Sequence, residues 1–147
     1  MKTVAEILKA KGSQAVHGIA PTATVFDALN LMAQKDIGAI LVLEDGRIAG
    51  MFSERDYARK LALLARNSKD TRLHEVMTRQ VIYVRPEQTS DECMAIMTEN
   101  RIRHLPVMDG EKLVGLLSIG DLVKNIISEQ QFIIEQLEHY IIGDRGA

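Results

Sequence analysis

Two short segments of the chain pair a serine with an aspartate at one spacing: Gly50-Met51-Phe52-Ser53-Glu54-Arg55-Asp56 and Gly115-Leu116-Leu117-Ser118-Ile119-Gly120-Asp121. Each reads glycine, two apolar residues, serine, two variable residues, aspartate. Where a strand hands over to a helix, Ser-x-x-Asp is first of all an N-cap with an acidic third position, which accounts for the pattern without any ligand. The same place gathers free N–H groups and the positive end of a helix, both of which favour anions. A carboxylate there can accept two hydrogen bonds and so matches a vicinal diol such as a ribose edge, while a hydroxyl beside the amides can serve a phosphate. The dipole alone contributes only ~0.3–1 kcal/mol, against ~1.5–3 kcal/mol for each charge-assisted hydrogen bond. Binding therefore needs several groups together. Arg101, Arg103 and His104 cluster shortly before Pro106, and Arg55 lies inside the first signature. On an edge strand such a trio is ordinary solvated surface. Facing a cleft, it would neutralise phosphates, arginine by bidentate pairing.

The signatures belong to a duplication. Shifted by 65 residues, the chain matches itself without gaps from Val16/Val81 to Asp56/Asp121, with Pro21 on Pro86, Thr24 on Thr89, Met32 on Met97, Gly50 on Gly115 and Ser53 on Ser118. A lone unit of about 60 residues buries little surface, so the copies are expected to pack face to face, with their seam the first place to look for a ligand. At the positions of Arg103 and His104 the first copy has Gly38 and Ala39, so the two sites are chemically unequal.

Each copy reads strand, helix, strand, hairpin, strand, helix. Thr24 with Asp27, and Thr89 with Glu92, predict capping boxes ahead of helically spaced apolar residues. The runs Ala39–Leu43 and His104–Met108 predict strands, and Pro106, lacking a backbone donor, suits an edge or a strand end. Asp45-Gly46 and Asp109-Gly110 predict tight hairpin turns. Thr3 and Glu6 cap a short opening helix that Gly12 ends, and Leu73–Met77 echoes Val4–Leu8 in pattern. The tail, Val123 to Ile142, carries Ile126, Ile127, Ile133, Ile134, Leu137, Tyr140 and Ile141 at near-helical spacing, interrupted by Glu129-Gln130-Gln131. It either covers its own core or packs on a second subunit, and the dimer is preferred. The expected organisation is a first module with the opening helix over 1–68, a second module over 69–127 and an amphipathic C-terminal helix over 128–147.

Composition narrows the class. The 147 residues are 46% hydrophobic and 26% charged, with 18 Lys and Arg against 20 Asp and Glu for a net charge of −2. That balance argues against a nucleic-acid binder, which would be basic, and against an acidic disordered tail. The single cysteine, Cys93, excludes an intrachain disulfide. Lys2, Glu6, Lys9 and Lys11 break any signal-peptide core, and no apolar run approaches the ~18 residues of a membrane span. A cytoplasmic protein with no membrane partner is expected.

The gapless duplication, the two signatures in register and the Ile-Arg-His-Leu-Pro-Val stretch resemble a tandem cystathionine-β-synthase (CBS) domain pair of the small stand-alone bacterial type, over about residues 4 to 127. The resemblance implies an α+β fold of two β-α-β-β-α modules related by pseudo-twofold symmetry. It also implies adenosine-containing ligands in the inter-copy cleft: AMP, ADP or ATP, NAD(H) in some stand-alone pairs, and S-adenosylmethionine ranking behind these. It places Asp121 and Asp56 at the ribose diol, and Ser118 and Ser53 near ribose and phosphate. Ile82, Tyr83 and Val84 then hold the adenine, with Ile102 on its other side and Thr78 as a base or phosphate contact. Arg103 and His104 face phosphate, and Pro106 of the same stretch joins the binding residues. The first-copy equivalents are Ser13, His17, Gly18, Ile19, Ile37, Gly38 and Ala39, with Arg55 able to compensate for the missing cations.

Two rival classes are weaker. Ser118, His104 and Asp121 could be drawn as a catalytic triad, but Asp121 stands three residues from the serine as its capping partner, and no Gly-x-Ser-x-Gly elbow occurs. His17, His74, His104 and His139 lack zinc spacings, and no Rossmann glycine fingerprint is present. The expectation is a non-catalytic, homodimeric nucleotide sensor that signals to an unidentified downstream protein. The alternative is a structural dimerisation or docking module without retained binding.

Overall fold

The structure, a computed structural model, describes residues 2–12 and 16–146, the side chains of 142–146 excepted. In chain order the elements are α1 (Val4–Lys11), β1 (Gly18–Ile19), α2 (Val25–Lys35), β2 (Ala39–Glu44), β3 (Arg47–Ser53), α3 (Glu54–Tyr57) running on into a π-helical segment (Ala58–Ala62), α4 (Leu73–Val76), α5 (Ser90–Asn100), β4 (His104–Asp109), β5 (Lys112–Ser118) and α6 (Ile119–Gly146). They form two compact units, one of residues 15–82 and the other of residues 1–14 with 83–147. Among the described residues no helix is long and apolar enough to cross a membrane.

The units are not the linear halves of the chain. The opening helix, expected in the first module, belongs to the unit of the second copy: Val4, Ile7 and Leu8 join a core with Val84, Cys93, Met97, Leu105, Val107, Leu117 and Leu122. Reciprocally, Leu73, Val76 and Met77 of the α4 segment complete the first-copy core with Val25, Ala28, Met32, Ile40, Val42, Phe52 and Leu61. The backbone explains the exchange. The Val4 amide donates to the Gln88 carbonyl (2.8 Å) and the Ala5 amide to Pro86 (3.0 Å), while Leu73 donates to Ala23 (2.9 Å) and His74 to Pro21 (3.0 Å). These are the same bonds in both copies, because Gln88 and Pro86 stand 65 residues after Ala23 and Pro21. Each short helix thus docks on the turn that leads into the long helix of the copy it does not precede.

In the first-copy unit β2 pairs parallel with β1 and antiparallel with β3, with a bulge at Val42/Leu43. The second-copy unit repeats the hairpin, β4 with β5, bulged at Val107/Met108. Its opening strand, however, shrinks to a single parallel bridge, Val84 to Val107. Pro106 supplies the reason, and it lies on an edge as expected, since β4 and β5 form a two-stranded sheet. It sits inside β4 opposite Leu116, and its carbonyl takes the Val84 amide at 2.9 Å. Its ring nitrogen has no proton to carry the ladder one step further. Leu41 holds the equivalent position in β2 and pairs with Gly18.

The hairpin turns also differ. Asp45 and Gly46 both have positive φ (52° and 77°), as a type I′ turn requires. In the second hairpin Asp109 closes β4 and Gly110, at φ 63°, leads the turn. The Thr24/Asp27 capping box forms in both directions. Thr89 accepts the Glu92 amide, but the Glu92 carboxylate takes the Gln88 side-chain amide instead. The tail is no separate element. From Ile119 it continues the second signature helix as one 28-residue α6, whereas in the first copy the π-helical segment ends at Ala62.

Candidate functional site

Each signature forms the end of a hairpin strand and the start of a helix. In the first-copy unit the Ser53 amide donates to Asp56 Oδ2 (3.0 Å), the Asp56 amide donates to Ser53 Oγ (3.1 Å), and the Ser53 hydroxyl also reaches Asp56 Oδ2 (3.1 Å). In the second-copy unit the Ser118 amide donates to Asp121 Oδ2 (2.8 Å) and the Asp121 amide to Ser118 Oγ (3.1 Å). Reciprocal capping fixes both carboxylates at the mouth of their helices. The signature glycines let the exchanged segments approach. A Cβ on Gly50 would meet the Thr78 carbonyl at 2.7 Å, and one on Gly115 would meet Leu8 Cδ2 at 2.8 Å.

The segment before each hairpin lies beside its signature. Ala39 pairs with Ser53, and His104 pairs with Ser118. The Glu54 amide donates to the Gly38 carbonyl (3.0 Å), and the Ile119 amide donates to the Arg103 carbonyl (2.8 Å). Arg103 and His104 are thereby tied to the start of α6 next to Asp121, while the first copy offers Gly38 and Ala39 at the same places, with Ala39 fully buried. Arg55 is exposed on the first turn of α3.

Each aspartate also meets a lysine. Lys60 lies 3.4 Å from Asp56 Oδ1 and Lys11 lies 3.0 Å from Asp121 Oδ2. Partial burial pushes the Asp121 carboxyl up, but the Ser118 amide and the Lys11 ammonium outweigh it, so the group titrates below its ordinary value. Lys11 and Lys60 are absent from the candidate site residues read from the sequence. Lys60 follows Asp56 by four residues, a helical ion-pair spacing that could have been noticed. Nothing local marks Lys11, 110 residues away from Asp121.

The remaining candidates divide between the units. His17, Gly18, Ile19, Ile37, Thr78 and Ile82 fall in the first-copy unit, and Tyr83, Val84, Ile102 and Pro106 in the second. Thr78, grouped by the resemblance with Ser118 and Asp121, instead places its hydroxyl 3.4 Å from Asp56 Oδ1. Its backbone is held there by two bonds with Met51. Ile82 and Tyr83 are exposed, and Arg85 lies over the Tyr83 ring at 5.8 Å. Val84 is fully buried, with its amide and carbonyl both spent on β4. Its side chain packs in the core rather than on a ligand surface. Ile37 and Ile102 are half-buried against their cores. Ser13 lies outside the described residues.

Comparison with known proteins agrees with this architecture. The family model described as "CBS domain" matches twice, at residues 4–63 and 73–128. The mitochondrial CBS domain-containing protein CBSX3 of Arabidopsis thaliana is 36% identical over 96% of this chain and 72% of its own length. A solved CBS-domain protein from Burkholderia ambifaria MC40-6 is 55% identical with a TM-score of 0.85, over 88% of this chain and 96% of that one. The CBS domain pair of MJ0100, solved in complex with 5′-methylthioadenosine and S-adenosyl-L-methionine, shares the fold at 22% identity and a TM-score of 0.75, over 88% of this chain and 98% of that one. The duplicated signatures, the repeated hairpin units and these likenesses show that the chain belongs to the CBS-domain family, as a tandem pair.

Proposed function

We propose that the protein is a non-catalytic sensor of adenosine nucleotides, with the Ser118–Asp121 signature as its phosphate-accepting site. CBS pairs are regulatory modules that take adenosine-containing ligands, so the question for this chain is which ligand and where. The observation that carries the proposal is the tie between the basic pair and the second signature: His104 stands opposite Ser118 and the Arg103 carbonyl receives the first amide of α6. One end of a ligand then finds a carboxylate suited to a diol and the other finds cations suited to phosphate. Asp56, with Gly38 and Ala39 beside it, suits a less charged ligand or part of one. AMP is the simplest molecule with both ends. ADP, ATP and NAD(H) share them, whereas S-adenosylmethionine lacks the phosphate. Ligand binding favours one population of conformations, and a downstream protein reads it.

A thermal-shift panel of AMP, ADP, ATP, NAD(H), S-adenosylmethionine and adenosine tests this. A ligand present at 100 times its dissociation constant adds about 2.7 kcal/mol of stability. Phosphorylated adenosine ligands should raise the melting temperature most; no shift with any of them overturns the proposal.

A second feature supports assembly through α6. Ile127, Ile134 and Ile141 recur at seven-residue spacing and are about half exposed (51%, 53% and 50%), with Val123 and Leu137 exposed along the same stripe. A face of that period suits a second helix. A homodimer joined through α6 accounts for it, and Ile134→Glu should shift the protein to monomer in light scattering.

A further inference from the structure

The two signature aspartates are each held by one ammonium group, but the lysines arrive by different routes. Lys60 comes from the same helical turn as Asp56 and also donates to the Val76 carbonyl at 2.8 Å. At the equivalent position, 65 residues on, the second copy has Asn125, which is buried and directs its side-chain amide toward Glu129. There the cation is Lys11, the last residue of α1, which donates to Asp121 Oδ2 and to the Leu116 carbonyl, both at 3.0 Å. The chain leaves the helix at the next residue, Gly12, with φ 83°.

The contacts of Asp121 are of two kinds. The Ser118 amide is backbone and part of the helix cap, so it stays. Lys11 is a point charge on a flexible four-carbon stem with its side chain 37% exposed, and ion pairs at that exposure break readily in water. A vicinal diol that bridges the carboxylate puts one hydroxyl on each oxygen, and Oδ2 already carries an amide and an ammonium. Of those two, only the ammonium can give way.

We infer that Lys11 is a specificity-determining residue of the Asp121 site: it holds the carboxylate while the site is empty and transfers its charge to the ligand's phosphate when a ribose displaces it. The inference rests on the adenosine-nucleotide reading and deepens it. A nucleoside that displaces Lys11 leaves the ammonium without its carboxylate. A nucleotide displaces it and supplies a replacement anion. Lys11 therefore penalises adenosine and rewards AMP, whereas Arg103, tied to the start of α6 through its carbonyl, would only reward AMP.

Calorimetric titration of the full chain with AMP and with adenosine separates these effects. Lys11→Met should bind AMP about five- to tenfold more weakly and adenosine about threefold more tightly than the unaltered protein, and Lys11→Arg should stay near the unaltered values. Circular dichroism of each variant checks that the fold is kept. An equal change for both ligands, or no change, overturns the inference and leaves the sensor reading standing. Failure of the unaltered protein to bind either ligand overturns both.

Discussion

The carbonyl of Thr78 lies so close to Gly50 that a methyl group on that glycine would approach it to 2.7 Å. Two backbone bonds between Met51 and Thr78, 2.9 and 2.8 Å, hold the segment in place. The first residue of the signature is therefore a packing requirement: it admits the segment that carries Thr78 to Asp56. Gly50→Ala should cost about 1–3 kcal/mol in urea unfolding, because a backbone atom cannot step aside. Gly115→Ala should cost less, since its obstacle is the end of the Leu8 side chain. Equal costs would contradict this account.

The exchange of short helices makes a second prediction. Ile7 is 4% exposed in the core of the second-copy unit, so Ile7→Ala should destabilise that unit by about 2–5 kcal/mol. Hydrogen exchange should show protection falling across 84–122 while amides across 25–61 keep theirs. Loss confined to the sequence neighbours of Ile7 would mean that α1 does not belong to that core.

Asp121 links stability to pH. Its carboxyl is lowered from an ordinary value of 3.8 in the folded chain, so on acidification the unfolded chain takes up the proton first. The stability this group contributes is complete above about pH 4 and is lost as pH falls through the lower, folded value. Asp121→Asn should flatten the acid limb of the stability curve, as should Lys11→Met. An unchanged slope in chemical denaturation between pH 5 and pH 2 would show that the carboxyl is not held by these partners.

For ligand binding, Arg103→Ala should weaken AMP by about tenfold and adenosine by less than twofold, the size expected for one charge-assisted contact to phosphate. Asp121→Ala should weaken both, since the diol is common to them. Isothermal titration reads each pair. Identical losses of AMP and adenosine in the Arg103 variant would rule out the phosphate contact.

Much of this protein is local and could be read from one strand of text. The 65-residue repeat appears on shifting the chain against itself, and the Ser-x-x-Asp caps and the Thr24 box depend on neighbours three residues apart, so spacing alone specified them. The chemical inequality of the two sites is equally visible, as Arg103 and His104 against Gly38 and Ala39. What the text could not settle is which distant residue meets which. Leu8 and Met77 carry similar patterns and would fill either core. Only backbone bonds such as Val4 to Gln88 and Leu73 to Ala23 assign each helix to the copy it does not precede. The pairing of Lys11 with Asp121 and the move of Thr78 to Asp56 follow from that docking, and the turn of Val84 into the core follows from its backbone bonds to β4. Contacts across tens of residues are chosen by the packing of whole elements, and helical or strand periodicity carries no record of that choice.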